Sequence, residues 1–225
     1  MLLNFWYRPL TKCLISPKDI RYVVKFKIVA GDGSDLSETA VEKDEFFTIL
    51  NSAASSIFSD VHVMINGQNI CSSNNLYPLV GHLQNLISDL NRKRVEFVSR
   101  GFIPESSGDG KTANSTPGVI RNKFVAKSKE ATFVGNIING IFQENQLLPP
   151  QTTLGFRMFP SKSSFFIFSK TKTYKFQITS LHLEVKYLKM DSGFLMQTVE
   201  TMKHQPYVLN HLSIKSKTIV LSCLV

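Results

Sequence analysis

Apolar and polar positions alternate along much of this chain. In the run RYVVKFKIVA, Tyr22, Val24, Phe26 and Ile28 fall on one side, while Arg21, Lys25 and Lys27 share the other with Val23. A period of two is that of a strand with one buried face. Gly31, Asp32 and Gly33 end it with turn-forming residues. A further strand is predicted through IFSDVHVMI, where Val61, Val63 and Ile65 alternate with Asp60, His62 and Met64. Asn66-Gly67 comes next, a pair that tolerates the positive φ angles of a tight hairpin, and the returning strand covers residues 68–71. The second half reads as a succession of short strands over 122–126, 131–137, 152–159, 164–169, 174–179 and 181–189. Turns fall at Pro149-Pro150, at Pro160-Ser161 and over residues 170–173.

Helical spacing is confined to a few segments. Residues 77–91 place Leu79, Val80, Leu83, Leu86, Ile87 and Leu90 on one stripe, with Pro78 in the first turn, where its missing N–H costs nothing. This helix is expected to cover an open end of a sandwich, anchored by Leu83, Leu86 and Leu90. Residues 43–56 read as a short helix or turn, and 104–118 as a long polar loop. Asp191 can cap a helix reaching about residue 204, with Phe194, Leu195, Val199 and Met202 on one side. The β-prone tail, which includes IVLSCLV, needs a pairing partner. Many short strands with regular turns predict an all-β fold: an antiparallel jelly-roll β-sandwich with one or two short inserted helices. The expected division is an N-terminal arm over 1–20, the jelly roll over 21–190, and a helix plus β-prone tail over 191–225. Phe58, Phe133, Phe156 and Val185 are the expected core.

Composition sharpens this picture. The 225 residues are 43% hydrophobic and 19% charged, with 17 Phe, which provides for a full core rich in strand-favouring side chains. The formal net charge is +9, with the lysines dispersed and the densest cluster at Arg92, Lys93 and Arg94. Two readings stand side by side: a solvated basic surface, or non-specific, salt-dependent attraction to nucleic acid without base readout. Cys13, Cys71 and Cys223 are odd in number and far apart, so neither a disulfide framework nor a zinc site is expected, which fits a reducing compartment. The opening MLLNFWYRPLTKCLIS carries Arg8 and Pro9 within its apolar run and makes a poor signal peptide. No run approaches the roughly 18 apolar residues of a membrane span, and no membrane partner is expected.

Chemistry is sparse. HExxH, GxSxG, P-loop and GxGxxG motifs are missing from the sequence. His62 and His182 lie on the polar faces of predicted strands, His82 falls off the apolar stripe, and His204 and His211 stand apart. The run GDGSD over 31–35 is read as a turn in preference to a Ca²⁺ loop, since no bidentate Glu follows at the right spacing. Phe165, Phe166 and Phe168 can stack on bases but are assigned to packing. No catalytic, cofactor-binding or metal-binding residue is assigned, no cofactor is expected, and the chain is not expected to be an enzyme.

The order of the elements carries more than any one site. Asn51, Ser56-Ile57-Phe58, Val61, Val63, Ile65-Asn66-Gly67 and Tyr77-Pro78-Leu79 follow one another, and a second set follows in Gly135-Asn136-Ile137, Ile141-Phe142, Leu147-Leu148-Pro149, the strand over 153–159 and Ser164-Phe165-Phe166. This ordered set resembles the N-terminal part of the capsid proteins of Maverick/Polinton transposons and adintoviruses, which resemble double jelly-roll major capsid proteins. Tyr-Pro-Leu stands where the family has Tyr-Pro-Tyr, an opening strand before Arg21 is not evident, and the family's second jelly roll is not represented. The resemblance implies one jelly roll of a two-roll protein, in a copy of a virus-like element. It implies a structural role by self-assembly, as a homotrimer or larger assembly with other capsid proteins, in a virion or virus-like particle and in the host cytoplasm or nucleus during assembly. The alternative from the residues alone is a jelly-roll binding module for a carbohydrate or protein ligand, without catalysis.

Overall fold

In the computed structural model, residues 2–7, 13–36, 47–87, 94–104, 116–169, 172–189 and 216–223 are described. Among these residues, eleven strands pair antiparallel. The first sheet has the order β1-β8-β5-β6, built from β1 (Leu3–Tyr7), β8 (Leu154–Pro160), β5 (Phe58–Ile65) and β6 (Gln68–Cys71). The second has the order β11-β10-β3-β7, from β11 (Ser216–Cys223), β10 (Tyr174–Lys189), β3 (Arg21–Ala30) and β7 (Ala131–Asn136), with β2 (Cys13–Ile15) also on β10. A two-stranded ribbon joins β4 (Phe47–Ile49) to β9 (Ile167–Ser169). The chain passes repeatedly between the two main sheets, and strands distant in sequence become neighbours, as in a jelly-roll sandwich.

One core lies between the sheets. Leu3, Phe5, Val61, Val63, Phe156 and Met158 come from the first, and Tyr22, Val24, Phe26, Phe133, Leu183 and Val185 from the second, all buried in a single cluster. Tyr22 meets Phe58 across the gap edge to face, with ring centroids 5.4 Å apart. The four residues expected in the core, Phe58, Phe133, Phe156 and Val185, are all there.

The predicted hairpin forms as read: Asn66 and Gly67 have φ of 51° and 83°, and Ile65 pairs with Gln68. Other boundaries differ for identifiable reasons. The two strands expected over 174–179 and 181–189 are one strand, β10, with a register shift between Ile178 and Ser180. The buried parity moves there from Tyr174 to Leu181, Leu183 and Val185, so a bulge, not a turn, absorbs the change of phase. Residues 122–126, expected as a strand, belong to helix α4 (Thr116–Val125) and the turn after it. Pro117 in the first turn was the signal for that helix. Ser163–Phe166 forms a single helical turn, α5, ahead of β9.

Within the first twenty residues, Leu3–Tyr7 and Cys13–Ile15 are strands of the sandwich. β1 pairs with β8 (Leu3 opposite Met158), and β2 pairs with β10 (Ile15 opposite Tyr187). An opening strand therefore precedes Arg21 after all. Its signal was the short alternation of Leu3, Phe5 and Tyr7, all buried, with Trp6 outside. Trp6 lies over Gly155, where a Cβ would come within 2.8 Å of the indole. The β-prone tail pairs along β10 as β11, from Leu181 opposite Cys223 to Leu188 opposite Ser216. The helix expected from Asp191 falls outside the described residues.

Candidate interaction surface

Three helices gather at one end of the sandwich. Helix α2 (Tyr77–Ile87) matches the start of the predicted helix, but its orientation is the reverse of that expected. Its buried residues are Tyr77, Pro78, Gly81 and Asn85. The aliphatic stripe points out: Leu79, Val80, Leu83 and Leu86 expose between 38% and 53% of their surface, and Ile87 exposes 85%. Leu83 and Leu86 therefore do not anchor the helix, and Leu90 lies outside the described residues.

The reason is the face that α2 does bury. Tyr77, Gly81 and Asn85 are spaced by four and form one line along the helix. At Gly81 a Cβ would come within 2.5 Å of Ser55 and 2.8 Å of Ile138. Only glycine lets α2 approach α1 (Ala53–Ser56) this closely. Tyr77 donates its O–H to the Asn136 carbonyl at 3.1 Å, and burial pushes its phenol well above its usual range. Asn85 Nδ2 donates to Ser52 Oγ at 3.1 Å, and that oxygen also lies 3.1 Å from His82 Nδ1. Arg100 Nη1 donates to Asn85 Oδ1 at 3.2 Å, while its Nη2 reaches Glu96 at 3.4 Å. A polar chain thus holds α2 where an apolar stripe was expected to do so.

Helix α3 (Arg94–Ser99) completes the support. It ends with Gly101 N–H donating to the Val98 carbonyl at 2.9 Å and Phe102 N–H to the Phe97 carbonyl at 2.8 Å. With Gly101 at φ 68° and Phe97 packed on Phe102 at 5.2 Å, this is a Schellman motif. The freed carbonyls of Arg100 and Gly101 accept the first N–H groups of α1, from Ala54 at 3.0 Å and Ala53 at 3.4 Å. Asn51 bonds both backbone groups of Ile103, donating at 2.8 Å and accepting at 2.9 Å.

Beside α2 runs a groove of about 430 Å³, lined by Ile49, Pro78, Leu79, His82, Phe165 and Phe168 among others. Its floor is β4, whose outer edge is closed by α4. Arg121 Nε donates to the Ile49 carbonyl at 3.0 Å and Asn122 Nδ2 to the Phe47 carbonyl at 2.7 Å. Of the three phenylalanines assigned to packing, only Phe166 is buried; Phe165 and Phe168 stand at the groove, 51% and 45% exposed.

Many of the other polar groups pair with one another. A cleft of about 450 Å³ is lined by Lys18, Arg21, Arg100 and Lys186. Arg21 pairs with Glu184, Lys186 with Asp19 at 3.2 Å, Arg100 with Glu96, and Lys18 donates to Asn145 at 2.7 Å. Lys25 and Lys27 pair with Glu130 and Asp35. On this sheet Arg21, Lys25, Lys27 and Lys186 each meet an acidic partner. In GDGSD, Asp32 accepts from Ser34 N–H at 2.9 Å and from its hydroxyl at 2.7 Å, as in a turn. Ser52 and His82 form a Ser–His contact, but Ser52 is buried, with its Oγ already engaged by Asn85. His182 bonds Ser180 at 2.7 Å, whereas His204 and His211 lie outside the described residues, as do Arg92 and Lys93. Cys13 is buried, which pushes its thiol pKa up against the lowering effect of Lys189.

Among the described residues, Asp60 is the one buried carboxylate, and it has a full set of partners. It accepts from the Val61 and Ser73 N–H groups at 2.8 and 2.9 Å, from the hydroxyls of Ser72 and Ser73, and faces His62 at 3.0 Å. Burial works to raise its pKa, but the bonds from Ser73 and the His62 ring outweigh it and the net shift is downward. A carboxylate whose folded pKa is depressed stabilises above its unfolded value, about 3.9, and loses that contribution as pH falls through the lower folded value. Asp60→Asn is expected to cost about 2 kcal/mol at pH 7. The gap to the parent should close as urea denaturation is repeated from pH 5 down through pH 3; a gap independent of pH would show that the charge on Asp60 contributes nothing.

No family model matches this chain, and no curated protein does. Among solved structures, it is similar to PBCV-1 VP54, a crystal structure fitted into a cryo-EM reconstruction of the virophage Sputnik. The TM-score is 0.42 and the identity 10%, over 88% of this chain and 44% of that one. The chain thus spans under half the length of that solved chain.

Proposed function

We propose that this chain is a structural, capsid-type protein, virus-like or transposon-derived, that acts by self-assembly through the edges and loops of its jelly roll. The observation that carries this reading is where the residues of the capsid resemblance fall. Asn51 ties the β4–α1 turn to Ile103, Phe58, Val61 and Val63 fill the core from β5, Asn66-Gly67 makes the β5–β6 turn, and Tyr77-Pro78 seats α2. The first set of residues that carries the resemblance thus falls on β5 and on the turns and helices that flank it. A stiff sandwich with a tight core and a helical end supplies what a shell subunit needs: fixed geometry and surfaces for lateral contact.

The finer reading is a Maverick/Polinton-type subunit that assembles as a homotrimer or larger, beside other capsid proteins, in a virion or virus-like particle. The test is the solution mass of the purified chain by light scattering, over a range of concentrations and at low and high salt. A trimer or larger species that persists at high salt is the expected result. A monomer at every concentration would overturn the reading.

A further inference from the structure

The outward face of α2 has no cover among the described residues, and what it lacks identifies its partner. We infer that this face, continued through the Phe165/Phe168 groove, is the contact by which one copy of this chain meets a second copy. The inference rests on the self-assembly reading and adds its location.

Area is the first argument. Leu79 belongs both to the helix face and to the groove, so the two are continuous. Leu76, five residues of α2, Phe165 and Phe168 each expose between 38% and 85% of their surface. At up to about 200 Å² for a fully exposed large side chain, this leaves on the order of 700 Å² of apolar surface. The largest apolar patch of an ordinary monomer is about 300–600 Å², whereas a stable interface takes roughly 800 Å² from each partner. The face is thus larger than a lone subunit carries and near the size that one side of a dimer contact needs.

Charge is the second argument, and it selects among partners. The chain carries a net +9, yet α2 (YPLVGHLQNLI) contains no Asp, Glu, Lys or Arg. Nucleic acid is held by accessible cations; α2 offers none, and Arg121 in the groove lining is buried and donates to the Ile49 carbonyl. A helix lying in a lipid surface carries Lys or Arg on its polar side, but the other side of α2 is the buried, uncharged Tyr77–Gly81–Asn85 line. Two copies of a strongly basic chain repel over most of their surfaces, and an uncharged face is where they can meet without that penalty. An apolar face needs no directional partners, so it can meet either itself across a two-fold axis or another apolar patch of the next copy in a ring.

The experiment compares the full-length parent with Leu83→Glu/Leu86→Glu by light scattering and sedimentation velocity. Both side chains point to solvent, so thermal unfolding should be nearly unchanged; Leu86→Gln alone is the milder variant should the pair fail to fold. The expected result is self-association by the parent, tighter at higher salt as repulsion is screened, and weakened at least about 100-fold by the double substitution. If parent and variant assemble alike, the α2 face is not the contact, while the self-assembly reading stands. If the parent is a monomer throughout, both fall. A monomeric parent that co-floats with phosphatidylcholine vesicles, while the variant does not, would overturn the inference in favour of a lipid surface.

Discussion

Gly135→Ala is expected to destabilise the chain by about 3 kcal/mol, the upper end of the cost of overpacking a core. Gly135 sits on β7 opposite Tyr22 on β3, and a Cβ there would lie inside the van der Waals surface of the Tyr22 ring and hydroxyl. The ring has nowhere to go. Tyr22 is fully buried, packs edge to face on Phe58, and donates its O–H to the Ala54 carbonyl at 2.9 Å. Burial raises its phenol far above the usual value, so the proton stays in place at any ordinary pH. Moving the ring would break the bond that ties β3 to α1, and shifting β7 would break its ladder with β3. Urea denaturation checks this through a lower midpoint with an unchanged slope. Tyr22→Leu in the same chain should restore part of the loss, because it removes the atoms that clash. A Gly135→Ala variant as stable as the parent would mean that β7 is free to move.

The second large effect is at Phe166. Its ring is fully buried, 5.4 Å from Phe26 and 5.1 Å from Phe176. Phe166→Ala should cost about 4 kcal/mol, from lost transfer energy and the cavity left behind. Phe165→Ala and Phe168→Ala should each stay within about 0.5 kcal/mol of the parent in monomer stability. The three stand within four positions and are chemically identical, so the contrast measures orientation alone. Equal losses at all three would show that the groove is closed over Phe165 and Phe168. Thermal unfolding of the three single variants at a concentration below assembly decides it.

Much of the sandwich was legible because strand burial writes itself into the sequence with a period of two. β3, β5, the Asn66-Gly67 turn and β6 were all readable from local pattern, and so were the core positions of Phe58, Phe133, Phe156 and Val185. Where that period breaks, local reading fails. The phase change at Thr179-Ser180 looks the same for a turn and a bulge, and only the continuous ladder to β3 separates them. Short β1 and β2 carry too few residues to establish a period, and they become strands because β8 and β10 are there to receive them. α2 is the most instructive miss. An apolar stripe predicts an inward face only when the rest of the helix is worse at packing. Here Gly81 gives close approach and Asn85 gives hydrogen bonds, so the sparse side goes in and the greasy side is left out. The candidate surface was thus present in the sequence as a helix stripe, assigned to the wrong neighbour. Its only second signal was the total lack of charge along the helix.

The β10 ladder also dictates the order in which this chain can fold. Cys13 is paired with Lys189, Tyr22 with Leu183, and Leu3 with Met158. During synthesis β1 and β2 therefore emerge long before β8 and β10, and β3 long before its first partner, β7. Closing loops of that length must be accomplished before any of these pairings gives a return, which makes folding late and slow compared with a protein of local contacts. Throughout that interval the aromatic face of β1 is open to other nascent copies until β8 arrives, and that of β3 until β7 does, so a cell making many copies at once must keep them apart.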